Sequence, residues 1–178
     1  MQPYILGFCG SLRRESLNKK LLLSFAQRLP KEIGFKEANY GNLPLFNEDI
    51  PIDQVGGLEL LSQDIKAASA IVFATPEYNY SVPGGLKNAL DWCSRHPLKP
   101  LDKKVAGVMG ASAGAIGTAR AQYHLRQIGV FFNLRFVNKP ELLLGSMSAS
   151  SWNADGGFTN PVLVNLMDAF IVELLALR

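Results

Sequence analysis

Ala70-Ile71-Val72-Phe73-Ala74 is a run of five apolar residues with no polar alternation, leading directly into Thr75-Pro76-Glu77-Tyr78-Asn79-Tyr80-Ser81-Val82-Pro83-Gly84-Gly85. A strand that is apolar on every residue is covered on both faces, as in a parallel sheet with helices above and below. Similar runs recur on either side. Tyr4-Ile5-Leu6-Gly7-Phe8-Cys9 ends at Gly10-Ser11, and Val105-Ala106-Gly107-Val108-Met109 ends at Gly110. Helical periods fill the gaps. Leu22, Phe25, Ala26 and Leu29 are spaced i, i+3, i+4, i+7, and Val55 to Ala68 reads as a second helix. A third, from about Pro83 to Arg95, carries Leu86, Ala89, Leu90 and Cys93 on one face and is stopped by Pro97. Ile116 to Ile128 predicts a fourth, and Leu163, Leu166, Met167, Phe170 and Leu174 define a terminal one. Phe35 to Tyr40 and Val130 to Val137 predict weaker strands.

Strand followed by helix, five times over, predicts one α/β domain spanning residues 1–178. Five strands in this length fit the order 2-1-3-4-5. That is a flavodoxin-like three-layer sandwich, a parallel sheet with helices on both faces. Ligands of such sheets bind beyond the carboxyl ends of the strands, where the strand order switches. The loops after the first, third and fourth strands are therefore the places to look for chemistry.

Composition narrows the function. The 178 residues are 48% hydrophobic and 19% charged, as in a folded globular chain. No run reaches the ~20 apolar residues of a membrane-spanning helix. Met1-Gln2-Pro3-Tyr4 lacks the basic start of a secretory signal, so a cytoplasmic location is expected. The net charge of +3 is unevenly spread: Arg95 to Lys139 holds eight Lys/Arg and one acid, and Arg13 to Lys20 holds four and one. Such zones suit a small anion, and no Lys/Arg run longer than two residues supports nucleic-acid binding. Cys9 and Cys93 form no C-x-x-C and read as packed thiols of a reducing compartment. His96 and His124 lie in no ligand-spaced cluster, so no metal site is expected.

The first loop, Gly10 to Asn18, offers two hydroxyls, an amide, two guanidinium groups and the free N–H groups of a helix start. Those N–H groups and the helix dipole attract an anion. The plainer alternative is Ser16 as a simple N-cap with solvated arginines. The loop matches neither G-x-G-x-x-G nor G-x-x-x-x-G-K-[ST]. The second loop, after Ala74, combines two stiffening prolines, two tyrosines, an amide and two glycines, a set that suits a planar heteroaromatic ring. The third, Gly110-Ala111-Ser112-Ala113-Gly114-Ala115-Ile116-Gly117, is made of small residues that leave backbone N–H groups open to a ligand. It also matches the G-x-S-x-G nucleophile elbow of hydrolases. That fold needs an acid and then a histidine after the serine, and no histidine follows His124, so the order cannot be built.

Taken together, the three loops resemble the NADPH-dependent FMN reductase family, flavodoxin-like flavoproteins that include quinone, chromate and azo-dye reductases. Gly10 to Asn18 is similar to the family's G-S-x-R-x-x-S-x-N phosphate loop. Pro76 to Trp92 is similar to its long P-E-Y-N-x-x-x-P-G-x-L-K-N-A-x-D-W stretch. Gly117 to Gln127 and Asn138-Lys139-Pro140-Glu141 resemble the bacterial chromate and quinone reductase branch, and beyond Gly145 the resemblance fades.

The resemblance implies that Ser11, Arg13, Ser16, Leu17 and Asn18 hold an FMN phosphate. It implies that Pro76, Glu77, Tyr78 and Asn79 line the isoalloxazine, largely by backbone, and that Ser112, Ala113 and Gly114 approach its pyrimidine edge. Amide donors at that edge favour an anionic reduced flavin, by the logic of an oxyanion hole. The implied reaction is ping-pong transfer from NAD(P)H through FMN to a small acceptor: a quinone, chromate, an azo dye or free flavin. The cofactor carries this chemistry, so no catalytic side chain is assigned. Lys103, Lys104, Arg95 and Arg135 could attract NADPH, although solvated surface charge is the plainer reading. Homodimers or homotetramers are also implied, with Arg120, Tyr123 and Glu141 as interface candidates. An electron carrier or flavin-binding module without NAD(P)H turnover remains the competing class, against which the mild positive charge speaks. Trp152 and the loop from Gly145 to Asn160 could lid a partner's site or pack against the sheet.

Overall fold

The computed structural model describes residues 2–178. The strands are β1 (Tyr4–Cys9), β2 (Gly34–Glu37), β3 (Ala70–Ala74), β4 (Val105–Ala111), β5 (Arg135–Phe136) and β6 (Leu142–Leu144). The helices are α1 (Leu17–Gln27), α2 (Leu58–Ala67), α3 (Gly84–Arg95), α4 (Ala119–Phe131) and α5 (Pro161–Leu177). All pairings are parallel, in the order β2-β1-β3-β4-β5, with β6 also on β4. The expected order is thus present, with a sixth strand added.

Alternation along the strands sends side chains into two cores. Ile5, Val72, Val105 and Met109 meet Leu21, Leu22 and Phe25 of α1 and Met167, Phe170 and Leu174 of α5. Leu6, Phe8, Ile71, Phe73 and Val108 meet Leu58, Leu61 and Ile65 of α2, Leu86 and Trp92 of α3 and Leu125 of α4. Gly107 lets α5 approach the sheet, since a Cβ there would stand 2.5 Å from Cζ of Phe170.

The last strand departs from the expectation of a strand over 130–137. Val130 and Phe131 belong to α4 and are exposed. The helix ends at Phe132, and Asn133 takes the left-handed conformation (φ 56°) that terminates helices. β5 is then only two residues long and pairs with Val105 and Ala106. β6, not foreseen as a strand, takes over against Met109, Gly110 and Ala111.

The segment after Gly145 packs on α1. Trp152 is buried against Phe158, and its indole Nε1 donates to Ser24 Oγ at 2.9 Å. Ser24 Oγ lies 2.6 Å from the Gly156 carbonyl, which accepts its proton. Within this chain Trp152 is therefore a packing residue of the α1–α5 face. No helix among the described residues is long and apolar enough to cross a membrane.

Candidate functional site

The loops after β1, β3 and β4 meet at one end of the sheet because the strands are parallel. Gly10 joins the first two: its N–H donates to Ala74 O at 2.8 Å, and a Cβ on it would stand 2.9 Å from Thr75 Oγ1. Asn18 joins the first to the third. Its Nδ2 donates to Ala111 O and its Oδ1 accepts from Ala111 N, both at 2.9 Å. β3 and β4 last pair as residues at Ala74–Met109, after which β3 turns away. The Asn18 carboxamide stands where the next β3 peptide would have been and completes the ladder. The third loop is held from its other side by Ser112 N on Leu144 O (3.0 Å) and Ser146 N on Gly114 O (3.0 Å).

Between these loops is a cavity of about 240 Å³. Of the predicted site residues, all except Asn79 and Gly114 line it, and Ala111 joins them. At one end lies the N-terminus of α1. Ser16 caps it, accepting from Lys19 N at 3.2 Å. The N–H groups of Leu17 and Asn18 precede any i−4 acceptor in the helix and so are available to a ligand. Ser11 Oγ accepts from Arg13 N (3.4 Å) and lies 3.2 Å from Tyr78 OH. Both ends of the Asn18 carboxamide are taken by Ala111, whereas the Ser11 and Ser16 hydroxyls accept from backbone N–H groups and keep a proton to donate, so backbone N–H groups, Ser11, Ser16 and Arg13 are the donors left for an anion.

Pro76, Tyr78 and Ala113 add apolar and aromatic surface to the lining. Tyr78 and Ser81 exchange two backbone hydrogen bonds of 3.0 Å around Asn79 (φ 49°) and Tyr80 (φ 70°). Two positive φ values at the centre of a two-residue turn are the type I′ pattern. Asn79 is therefore at a hairpin tip beside the cavity. A tyrosine in the left-handed region is disfavoured. Its ring is held by the Arg120 guanidinium, 3.5 Å from the ring centroid.

Glu77 is turned away from the cavity centre. Its carboxylate accepts from Arg120 N (3.0 Å) and Ala121 N (3.3 Å) at the start of α4, and from the Arg120 guanidinium. It is an N-cap supplied from 43 residues away, and helix dipole and arginine together neutralise its charge. Only Arg13 then contributes unpaired charge to the cavity. Glu77→Gln is expected to cost about 1 kcal/mol of unfolding free energy and Glu77→Ala about 2 kcal/mol, read by urea titration. Equal stability of all three proteins would remove Glu77 as the cap.

Ser112 is not a nucleophile here. Its Oγ accepts from Gly114 N at 3.0 Å, while His124 Nδ1 lies 2.9 Å from Ser81 Oγ. The interface candidates have partners inside the chain: Arg120 on Glu77, and Tyr123 OH donating to Glu141 Oε1 at 2.8 Å. Lys103, Lys104 and Arg135 lie where β4 and β5 begin, at the opposite end of the sheet from the cavity. Lys104 Nζ donates to the carbonyls of Lys66 (2.9 Å) and Ala68 (2.8 Å), and Arg95 pairs with Glu48. Both cysteines are buried, and burial pushes the Cys93 thiol up to about 12.

The arrangement suits a molecule with an anionic group at one end and a flat heteroaromatic ring at the other. FMN has that shape: α1 and Arg13 would take its phosphate, and Pro76, Tyr78 and Ala113 its ring. Known proteins agree. The profile of the NADPH-dependent FMN reductase family matches residues 3–149. The NAD(P)H-dependent FMN reductase PA1204 of Pseudomonas aeruginosa is 44% identical over 153 residues, 85% of this chain and 82% of that protein. The NAD(P)H:quinone oxidoreductase of Solanum tuberosum is 39% identical over 99% of this chain and 94% of its own, so the likeness continues past Gly145. Among solved structures, the flavoenzyme FerB of Paracoccus denitrificans superposes with a TM-score of 0.91 at 30% identity, covering 98% of this chain and 96% of that one. Site geometry, fold and sequence converge on one assignment: the chain belongs to the NADPH-dependent FMN reductase family.

Proposed function

We propose that this protein is an FMN-dependent NAD(P)H oxidoreductase that reduces quinones. One observation carries the reading: three loops, fastened together by Gly10 and Asn18, bring a helix N-terminus, Arg13 and the rigid, aromatic surface of Pro76, Tyr78 and Ala113 to one cavity. Bound FMN supplies the two-electron relay between coenzyme and acceptor. The chain's own residues bind and orient. Leu17 and Asn18 N–H groups, Ser11, Ser16 and Arg13 hold the phosphate, and the Tyr78–Ser81 hairpin, tied to α4 through Glu77 and Arg120, sets the ring's position. Of the backbone N–H groups of Ser112, Ala113 and Gly114, that of Ala113 has no partner among the described residues and favours negative charge at the pyrimidine edge. Relatives named as quinone reductases, such as the Escherichia coli enzyme at 40% identity over 79% of this chain, support the choice of acceptor. Coenzyme and acceptor use the same open flavin face in turn, a ping-pong order. Chromate, azo dyes and free flavin fit the same face. A cytoplasmic location and a homodimer or homotetramer built on the exposed α4 face around Tyr123 and Phe131 complete the proposal; light scattering of the pure protein tests the assembly.

The test is an absorbance spectrum of the pure protein, then NADPH and then benzoquinone in one cuvette. Flavin bands bleached by NADPH and restored by quinone are expected. Bands that neither NADPH nor NADH bleaches would favour the electron-carrier reading. A colourless protein that takes up no added FMN would overturn the assignment.

A further inference from the structure

The loop Ser11–Arg14 has two sides. One closes the cavity described above. The other closes a second cavity, larger at about 330 Å³, between this loop, α1 and the residues that follow β2. Ser11 and Arg13 line both. Arg14, Lys19, Glu37, Asn39 and Tyr40 line the second and not the first. Three cations thus face one acid. Lys19 and Glu37 pair with each other, while among the described residues neither Arg13 nor Arg14 has a carboxylate partner. With Arg13 shared with the flavin cavity, the Arg14 guanidinium is a donor left free at the second one, able to hold a phosphomonoester in bidentate fashion.

The surroundings suit a nucleoside. Tyr40 is buried with its hydroxyl donating to Cys9 O, so it offers ring rather than donor. Asn39 contributes an exposed amide. Leu12 forms the rim: it is 65% exposed, and Cβ atoms on Gly41 and Gly85 would stand 3.3 Å and 3.5 Å from its methyl groups. Leu12 therefore bridges the loop after β2 and the first turn of α3, whose preceding loop walls the flavin cavity. A ligand with its phosphate in the second cavity would cross Leu12 to reach that flavin.

We propose that the second cavity binds the 2′-phosphate and adenosine of NADPH, with Arg14 as the residue that selects it over NADH. The proposal rests on the oxidoreductase reading above. One loop then serves two phosphates, one on each side, with Arg13 between them. NADH has no group for Arg14 to hold, so the selectivity resides in a side chain that does not line the flavin cavity.

The experiment uses FMN-loaded protein, so that the flavin's own phosphate occupies the neighbouring site. Wild type and Arg14→Ala are compared by steady-state kinetics with benzoquinone, and by calorimetry with 2′,5′-ADP, 5′-AMP and inorganic phosphate. Expected is a rise of about tenfold in KM for NADPH at unchanged kcat, with KM for NADH unchanged. Wild type should bind 2′,5′-ADP about tenfold more tightly than 5′-AMP, and the variant should lose the difference. Equal losses with both coenzymes, no loss with either, or release of FMN by Arg14→Ala would overturn the assignment. So would wild-type binding of inorganic phosphate as tight as that of 2′,5′-ADP. A protein oxidising neither coenzyme would sink the oxidoreductase reading instead, and calorimetry would still decide the cavity.

Discussion

Gly117→Ala is expected to lower the unfolding free energy by about 4 kcal/mol, among the largest effects available to a single methyl group in this chain. Two penalties coincide. Gly117 has φ +57°, the left-handed region that costs a side-chain-bearing residue about 1–2 kcal/mol. Its Cβ would also stand 2.3 Å, 2.4 Å and 2.6 Å from C and O of Leu143 and N of Leu144. Those are backbone atoms of β6, so relief requires moving a strand that holds the third loop. Gly84→Ala is the matched control, since nothing lies within 4 Å of its Cβ and it opens α3. It is expected to be neutral or stabilising by up to about 1 kcal/mol. Urea melts of both variants without flavin decide the matter. A Gly117→Ala protein within 1 kcal/mol of wild type would mean that β6 yields easily.

Asn18→Ala is expected to cost about 3 kcal/mol of stability and at least tenfold in FMN affinity. Asn18 is 3% exposed, and both ends of its carboxamide serve Ala111. Truncation strands a buried N–H and a buried C=O, each costing about 1–3 kcal/mol. It also disconnects α1, which would hold the phosphate, from the third loop, which would hold the ring. Asn18→Asp keeps the acceptor for Ala111 N but sets a carboxylate against Ala111 O, so it should not rescue. Urea unfolding measures the first effect and quenching of FMN fluorescence the second. If stability falls while affinity stays within twofold, Asn18 holds the sheet together without shaping the site.

Local sequence carried much of this. Fully buried strands announce themselves as unbroken apolar runs, so Tyr4–Cys9, Ala70–Ala74 and the start of Val105–Ala111 were legible, and the crossover pattern then dictated strand order. The site loops were legible by composition and by their place after those strands. What stayed hidden is non-local. No local pattern relates Asn18 to Ala111, 93 residues on, or Glu77 to the start of α4. The resemblance assigns Ser16 and Asn18 to the phosphate; that the Asn18 carboxamide is engaged by Ala111, leaving its backbone N–H for that role, is visible only in the folded chain. Val130 and Phe131 misled because an apolar pair at a helix end looks like the start of a strand. The three leucines of β6 are too short a run to distinguish strand from loop. Arg14 is counted with Arg13 among the loop's guanidinium groups but falls outside the resemblance's phosphate set, and the cavity it lines exists only once β2 lies beside β1.

The discontinuity of the last strand also bears on how this chain behaves in company. A parallel sheet leaves two lateral rims of unpaired N–H and C=O groups, and such rims invite pairing with other chains. Here one rim is β2, four residues long, and the other is split into β5 of two residues and β6 of three. Neither offers a template as long as the mean strand of about five to six residues. The hydrophobic strands β1, β3 and β4, which would be the dangerous ones, are all interior. A concentrated solution should therefore remain free of edge-to-edge fibrils for as long as the sheet stays assembled, and aggregation should begin only when β1 or β4 is uncovered.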